Sequence, residues 1–144
     1  MEIKNSLGYM LGASTRLIKR RMDKNLEDYG ITTSQWAVLK LLAEQEQLTQ
    51  KQIADGLSSD KATVGEIIKL LNKKGYVEKV INDRDKRAFL IKLTTKAKVM
   101  VNDLVSKASF VNEIALKGFS DKETELLRDM LNKIIENLSR EEKK

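Results

Sequence analysis

Six consecutive residues, Asn82-Asp83-Arg84-Asp85-Lys86-Arg87, put three cations and two acids between two apolar stretches. Guanidinium and ammonium groups donate hydrogen bonds and carry charge, so the chemistry on offer there is recognition of phosphates or carboxylates, with no bond made or broken. A second polar set, Ser59, Lys61, Thr63, Glu66 and Lys69, recurs upstream at spacings of two or three residues. Residues 49–96 hold 11 of the 27 basic and 6 of the 21 acidic side chains, so most of the net charge of +6 sits there. That concentration fits a polyanion partner, and it fits a solvated basic surface equally well.

The rest of the repertoire is thin. With no cysteine, a disulfide, a thiolate metal site, a thiol nucleophile and a cysteine redox switch are all excluded. With no histidine, the commonest general base and metal ligand is missing. No spaced acid pair, phosphate-cradling glycine loop or nucleophile motif stands in their place, so an enzyme is disfavoured and no catalytic residue, metal or cofactor is expected. With 144 residues, 41% hydrophobic and 33% charged, the chain reads as a soluble globular protein. No window approaches the roughly 18 uncharged apolar residues of a membrane span, and Met1-Glu2-Ile3-Lys4 leads into no signal-peptide core. A cytoplasmic protein without membrane contact is the expectation.

The elements that must position these residues follow from periodicity and punctuation. Proline is absent, so little but glycine interrupts a helical pattern. Leu7, Leu11, Ile18, Met22 and Leu26 predict one amphipathic helix over residues 5–29, ended by Gly30, with Gly8 and Gly12 on one face where another helix could approach closely. Thr32 with Gln35 and Thr49 with Gln52 read as capping boxes for a helix to about Gln45 and a short one to Gly56-Leu57. Ser58-Ser59-Asp60 offers N-caps for a third helix with Val64, Ile67, Ile68 and Leu71 inward, ending at Lys74-Gly75. Tyr76–Ile81 and Ala88–Leu93 then read as strands of a hairpin with the charged tip between them. A helix-turn-helix followed by such a hairpin is a winged helix. Thr94-Thr95 and the box Ser120 to Glu123 open two further long helices, with a frayed tail over Arg140–Lys144. The apolar stripes at both ends exceed what a small central domain can cover, which predicts a homodimer built from both termini. The expected fold is mostly α with a small β-hairpin wing. It divides into an N-terminal dimerisation helix (1–30), a winged helix-turn-helix domain (31–96) and C-terminal dimerisation helices (97–144).

With Gln35-Trp36-Ala37-Val38-Leu39, Leu48-Thr49-Gln50-Lys51-Gln52-Ile53-Ala54, Leu71-Asn72-Lys73-Lys74-Gly75-Tyr76-Val77 and above all Asp85-Lys86-Arg87-Ala88 followed by Ile91-Lys92-Leu93-Thr94, the chain resembles the MarR-type winged helix-turn-helix transcriptional regulators over nearly its whole length. The resemblance implies a dimer whose third helices enter the major groove of double-stranded DNA and whose wing arginines reach the minor groove. Arg87 is then the inserted residue, with Asp85 orienting it through a bidentate contact and Arg84 and Lys86 on phosphates. Ser59, Lys61, Thr63, Glu66 and Lys69 are the recognition-helix positions. Two departures stand out. Asn82-Asp83 replaces the family's frequent Asp-Pro, and Thr63-Val64-Gly65-Glu66 replaces Thr-Val-Thr-Arg, putting an acid near a polyanion and a glycine inside a helix. Those two residues keep alive a winged helix that binds RNA or another protein.

The reading is of a sequence-specific, ligand-responsive repressor on a pseudo-palindromic operator. The signal cannot be thiol oxidation, and a transition metal would have to use carboxylates alone. The resemblance implies a small anionic or phenolic effector where the N-terminal, Trp36 and C-terminal helices meet, with Arg16, Trp36 and Lys40 as its contacts.

Overall fold

The computed structural model describes residues 2–85 and 87–142. A 3-10 turn over Ile3–Asn5 precedes helix α1 (Leu7–Glu27), which starts where the Ser6 side chain accepts the Tyr9 N–H. The onset is later than periodicity predicts because Ser6 caps the helix. Apart from the backbone of α1 itself, nothing lies within 4 Å of a Cβ built on Gly8, and only the Arg16 side chain approaches one on Gly12, so within residues 2–111 no other helix packs against these two glycines.

Thr32 and Gln35 form the expected reciprocal box at the start of α2 (Thr33–Gln45): the Thr32 hydroxyl accepts the Gln35 N–H at 3.2 Å, and Gln35 Oε1 accepts the Thr32 N–H at 3.0 Å. The second box, Thr49 with Gln52, opens α3 (Gln50–Gly56). Helix α4 (Lys61–Lys73) takes Asp60 as its cap and ends at Gly75, whose φ of 80° is a turn conformation suited to glycine.

The sheet has one strand more than the hairpin that the sequence predicts. Strand β1 (Gln47–Thr49) pairs antiparallel with β3 (Phe89–Leu93), which pairs antiparallel with β2 (Val77–Ile81), giving the order β1-β3-β2. Three residues are too few to show a period of two, and Thr49 has a second role as the α3 cap. Register sets Glu78 opposite Lys92, and their side chains pair at 3.4 Å. Helix α5 (Thr95–Ala115) follows; the Thr94 hydroxyl accepts the Ala97 N–H and donates to the Gly75 carbonyl. Helix α6 (Asp121–Glu142) is opened by the Ser120 and Glu123 box and runs through Arg140 and Glu141, where a frayed tail is expected from the sequence.

Residues 1–111 form one compact unit and 112–144 a second. In the first, Leu26, Val38, Leu39, Leu42, Ile53, Val64, Ile68, Leu71, Ile91 and Leu104 are sealed from solvent, joining α1 through α5 around one face of the sheet. A polar joint reinforces this core where α1, α4 and α5 meet. The Tyr29 hydroxyl donates to Asp103, Lys107 pairs with the same carboxylate at 3.2 Å, the Lys74 ammonium donates to the Gly30 carbonyl, and the Tyr76 hydroxyl donates to the Tyr29 carbonyl at 3.4 Å. The hydrogen bond from Tyr29, with Lys107 beside it, holds the Asp103 carboxyl below its ordinary range, while the same bond pushes the Tyr29 phenol up. In the second unit α6 leaves Leu126, Met130, Ile135 and Leu138 exposed.

Candidate nucleic-acid interface

Helix α4 buries Val64, Ile68 and Leu71, and the period of 3.6 residues therefore turns Ala62, Glu66, Lys69 and Lys73 to the opposite side. Glu66 stands in the middle of that outward face, exposed, with Lys69 one turn along. Thr63 and Lys61 lie exposed in the first turn; Ser59, just ahead of the cap, is half-buried. The Thr63 N–H and hydroxyl both donate to the Asp60 carboxylate, each at 2.7 Å, and these bonds hold that carboxyl below its ordinary value. The Thr63 hydroxyl proton is thus engaged, and its oxygen remains an acceptor.

The glycine inside α4 has a physical reason. Gln50, the first residue of α3, donates its side-chain N–H to the Lys61 carbonyl at 2.9 Å, and a Cβ on Gly65 would lie 2.7 Å from that same Nε2. The missing side chain makes room for an amide that fastens α3 to the first turn of α4. The cost in helix propensity of about 1 kcal/mol is offset by a contact that the linear sequence does not display.

A groove of about 420 Å³ runs from this fastened turn to the wing. Among the described residues its walls carry four cations, Lys51, Lys61, Lys79 and Arg87, against a single acid, Asp85. Ile91 closes the groove from the core side, and Phe89, 51% exposed, continues the same strand face outward. Lys79 Nζ sits 6.0 Å from the Phe89 ring centroid, a cation held over an aromatic face. This is a concave, positively charged trough with one stacking surface. Its geometry suits a phosphodiester backbone with a sugar or base edge beside it.

The structure brings Lys61, Asp85 and Arg87 together in this trough, and Arg84 is exposed in the wing turn next to it. Lys86 lies outside the described residues. The Asp85 carboxylate does not clamp the Arg87 guanidinium. Asp85 Oδ1 accepts the Arg87 backbone N–H at 3.1 Å, and Asn82 Oδ1 accepts that of Arg84 at the same distance. Two residues apart in a tight turn, a short side chain reaches the backbone amide more readily than the end of a long flexible arginine, so these residues shape the tip instead of gripping its cations. The Asn82 turn does so in place of the missing proline. Sequence reasoning missed Lys51, Lys79, Gln50 and Phe89. Only Phe89 carried a local signal, as an aromatic residue at the outer end of a strand next to a charged tip.

Arg16 and Lys40 are exposed on α1 and α2, whereas Trp36 is in the core with 7% of its surface accessible. None of the three lines the groove between α4 and the wing.

The sequence profile described as the MarR family matches residues 29–88. The HTH-type transcriptional regulator YwoH of Bacillus subtilis (strain 168) is 32% identical over 123 residues, covering 85% of this chain and 89% of that protein. A SlyA-like transcription regulator from Listeria monocytogenes superposes with a TM-score of 0.85 at 26% identity, over 96% of this chain and 92% of that one. A mutant MarR from E. coli, complexed with operator DNA, shares the fold with a TM-score of 0.83 at 24% identity, over 93% of this chain and 99% of that one.

Proposed function

The chain belongs to the MarR family of DNA-binding transcriptional regulators, and from that premise we propose that it is a ligand-responsive repressor that binds a pseudo-palindromic operator as a homodimer. The observation that carries this reading is the trough between the first turn of α4 and the wing, where, among the described residues, four cations face one acid. Counter-ions released from phosphates by those cations supply sequence-independent affinity, and the outward face of α4 supplies side chains for the major groove. Ser59, Lys61, Thr63, Glu66 and Lys69 read or position on the helix, and Arg84, Asp85 and Arg87 form the wing contact. Residues 31–96 thus contact DNA, while 1–30 and 97–144 hold the two copies together.

The homodimer reading rests on apolar side chains left in water at both ends: Ile3, Leu7, Met10, Leu17 and Ile18, and then Leu126, Met130, Ile135 and Leu138. Stripes of this kind are interaction surfaces in a protein that must stay soluble. Two-fold symmetry then sets half-sites one or two turns apart, roughly 10 bp per turn. Selection from a random duplex pool at stated salt, with single-stranded RNA and DNA as competitors, tests the proposal. The expected result is a ranked palindromic consensus. Binding without sequence preference, or a preference for single strands, overturns it.

A further inference from the structure

The outer end of the wing carries apolar surface that the core does not cover. Directly opposed residues of an antiparallel pair share a face and every second residue repeats it, so Val77, Lys79 and Ile81 of β2 lie on the same face as Leu93, Ile91 and Phe89 of β3. At the inner end of that face Val77, Ile91 and Leu93 are buried in the core. At its outer end Phe89 and Ile81, paired across the strands, are exposed. Phe89 lines the trough, and Lys79 holds its ammonium 6.0 Å from the ring centroid. A phenyl ring and a branched aliphatic chain set side by side in water, with cations around them, form a surface fitted to a partner that is anionic and apolar by turns.

We propose that Phe89 is an apolar subsite for deoxyribose, packing its ring against one sugar of the bound strand; the inference rests on the reading above, with α4 in the major groove and the wing in the minor groove. One sugar–phosphate strand separates the two grooves of a duplex, so the strand that crosses between helix and wing passes through the trough. Outward it presents phosphates alternating with deoxyribose carbons, and its bases lie behind them. The trough offers the matching partners. Among the described residues, Lys51, Lys61, Lys79 and Arg87 bring cations to phosphates, and Phe89 brings the one aromatic face. A simple anion would meet the lysines and leave the ring in water. A base could stack on the ring only by leaving its duplex, a cost that packing on a sugar does not incur.

Two properties set this contact apart from its neighbours. Deoxyribose is the same at every position of a strand, so the ring adds affinity and fixes register without reading sequence. The contact is apolar, so it releases no counter-ion, whereas each lysine on a phosphate does.

Titration of the whole protein with duplex DNA over a series of salt concentrations tests the proposal. Phe89→Thr keeps a β-branched residue suited to the strand, so the fold is expected to hold while duplex affinity falls about three- to tenfold. The loss is expected to be equal on the selected consensus and on its single-base-pair variants, with the slope of log affinity against log salt unchanged. Phe89→Leu keeps apolar surface and is expected to stay within about threefold of the unsubstituted protein. Lys79→Gln supplies the contrast, lowering the salt slope by about 1. In the unsubstituted complex, which depends on no variant folding, the strongest nuclear Overhauser contacts of the Phe89 ring with DNA are expected at deoxyribose protons. Undiminished affinity in a folded Phe89→Thr protein, a loss that varies with the base pair, a shallower salt slope, or an equal loss in Phe89→Leu overturns the proposal. So do ring contacts that are strongest at base protons or absent from DNA. A selection that returns no consensus strikes the operator reading alone, because the same ring contact is then scored on a random duplex.

Discussion

At the wing tip the Asp85 carboxylate is occupied by the Arg87 backbone N–H, which leaves the guanidinium without an ion pair among the described residues. Arg87→Ala is therefore expected to keep its fold and melting temperature while losing about 1–3 kcal/mol of specific binding, by analogy with a mismatched base pair. Unchanged operator affinity in a fluorescence titration would show that the wing carries none of it. Glu66, in the middle of the outward face of α4, makes the opposite contribution if phosphate lies over it. Glu66→Gln is expected to tighten both operator and random duplex; relaxed preference at a single base pair would instead mark it as an acceptor for cytosine. Asp60 supplies a pH dependence. Its folded pKa lies below the ordinary 3.8 because Thr63 donates two hydrogen bonds to the carboxylate. The unfolded chain therefore takes up this proton first on acidification. The resulting stability is complete above the unfolded value and is lost as pH falls through the depressed folded one. Thr63→Val is expected to raise the Asp60 titration toward 3.8 in an NMR experiment, and a carboxyl that already titrates at 3.8 in the unsubstituted protein would rule out the Thr63 hydrogen bonds as the cause.

Among the elements, the contact between α3 and α4 makes a prediction about coupling. Gly65→Ala gains helix propensity of about 1 kcal/mol but displaces the flexible end of Gln50 and its hydrogen bond to Lys61, which is of similar size, so it is expected to leave stability nearly unchanged. In a Gln50→Ala background the same change is expected to stabilise by about 1 kcal/mol. Chemical denaturation of the four proteins closes the cycle, and additive effects would show that the two side chains do not meet. This pair also marks where sequence reading runs out. Capping boxes at Thr32, Thr49 and Ser120 were legible because their donors and acceptors lie three residues apart. The stripes of α4 and α6 were legible for the same local reason. Strand β1 was too short to signal itself. The positive φ at Glu46 and Ser58 fell on residues that give no warning of it. In the trough, Arg87 and Lys61 declared themselves by motif. Lys51, Lys79 and Gln50 became site residues only when a strand and two helices were folded against one another, a juxtaposition that no spacing encodes.

For the whole molecule, the exposed apolar residues of α6 carry the prediction. Leu126→Glu with Leu138→Glu is expected to yield a helical, soluble monomer in sedimentation and to abolish tight operator binding. A folded monomer of the unsubstituted protein at micromolar concentration would rule out the homodimer. The polar joint at the meeting of α1, α4 and α5 has a consequence in mechanical terms. Lys74 anchors the C-terminal end of α4 to Gly30, while Gln50 holds its first turn by one hydrogen bond to Lys61. A helix of 13 residues is a lever about 20 Å long. Turned by roughly 10° about its anchored end, it swings its tip about 3.4 Å, the rise of one base step along a DNA strand. A deflection no larger than that is enough to move the side chains of its first turn from one base pair to the next.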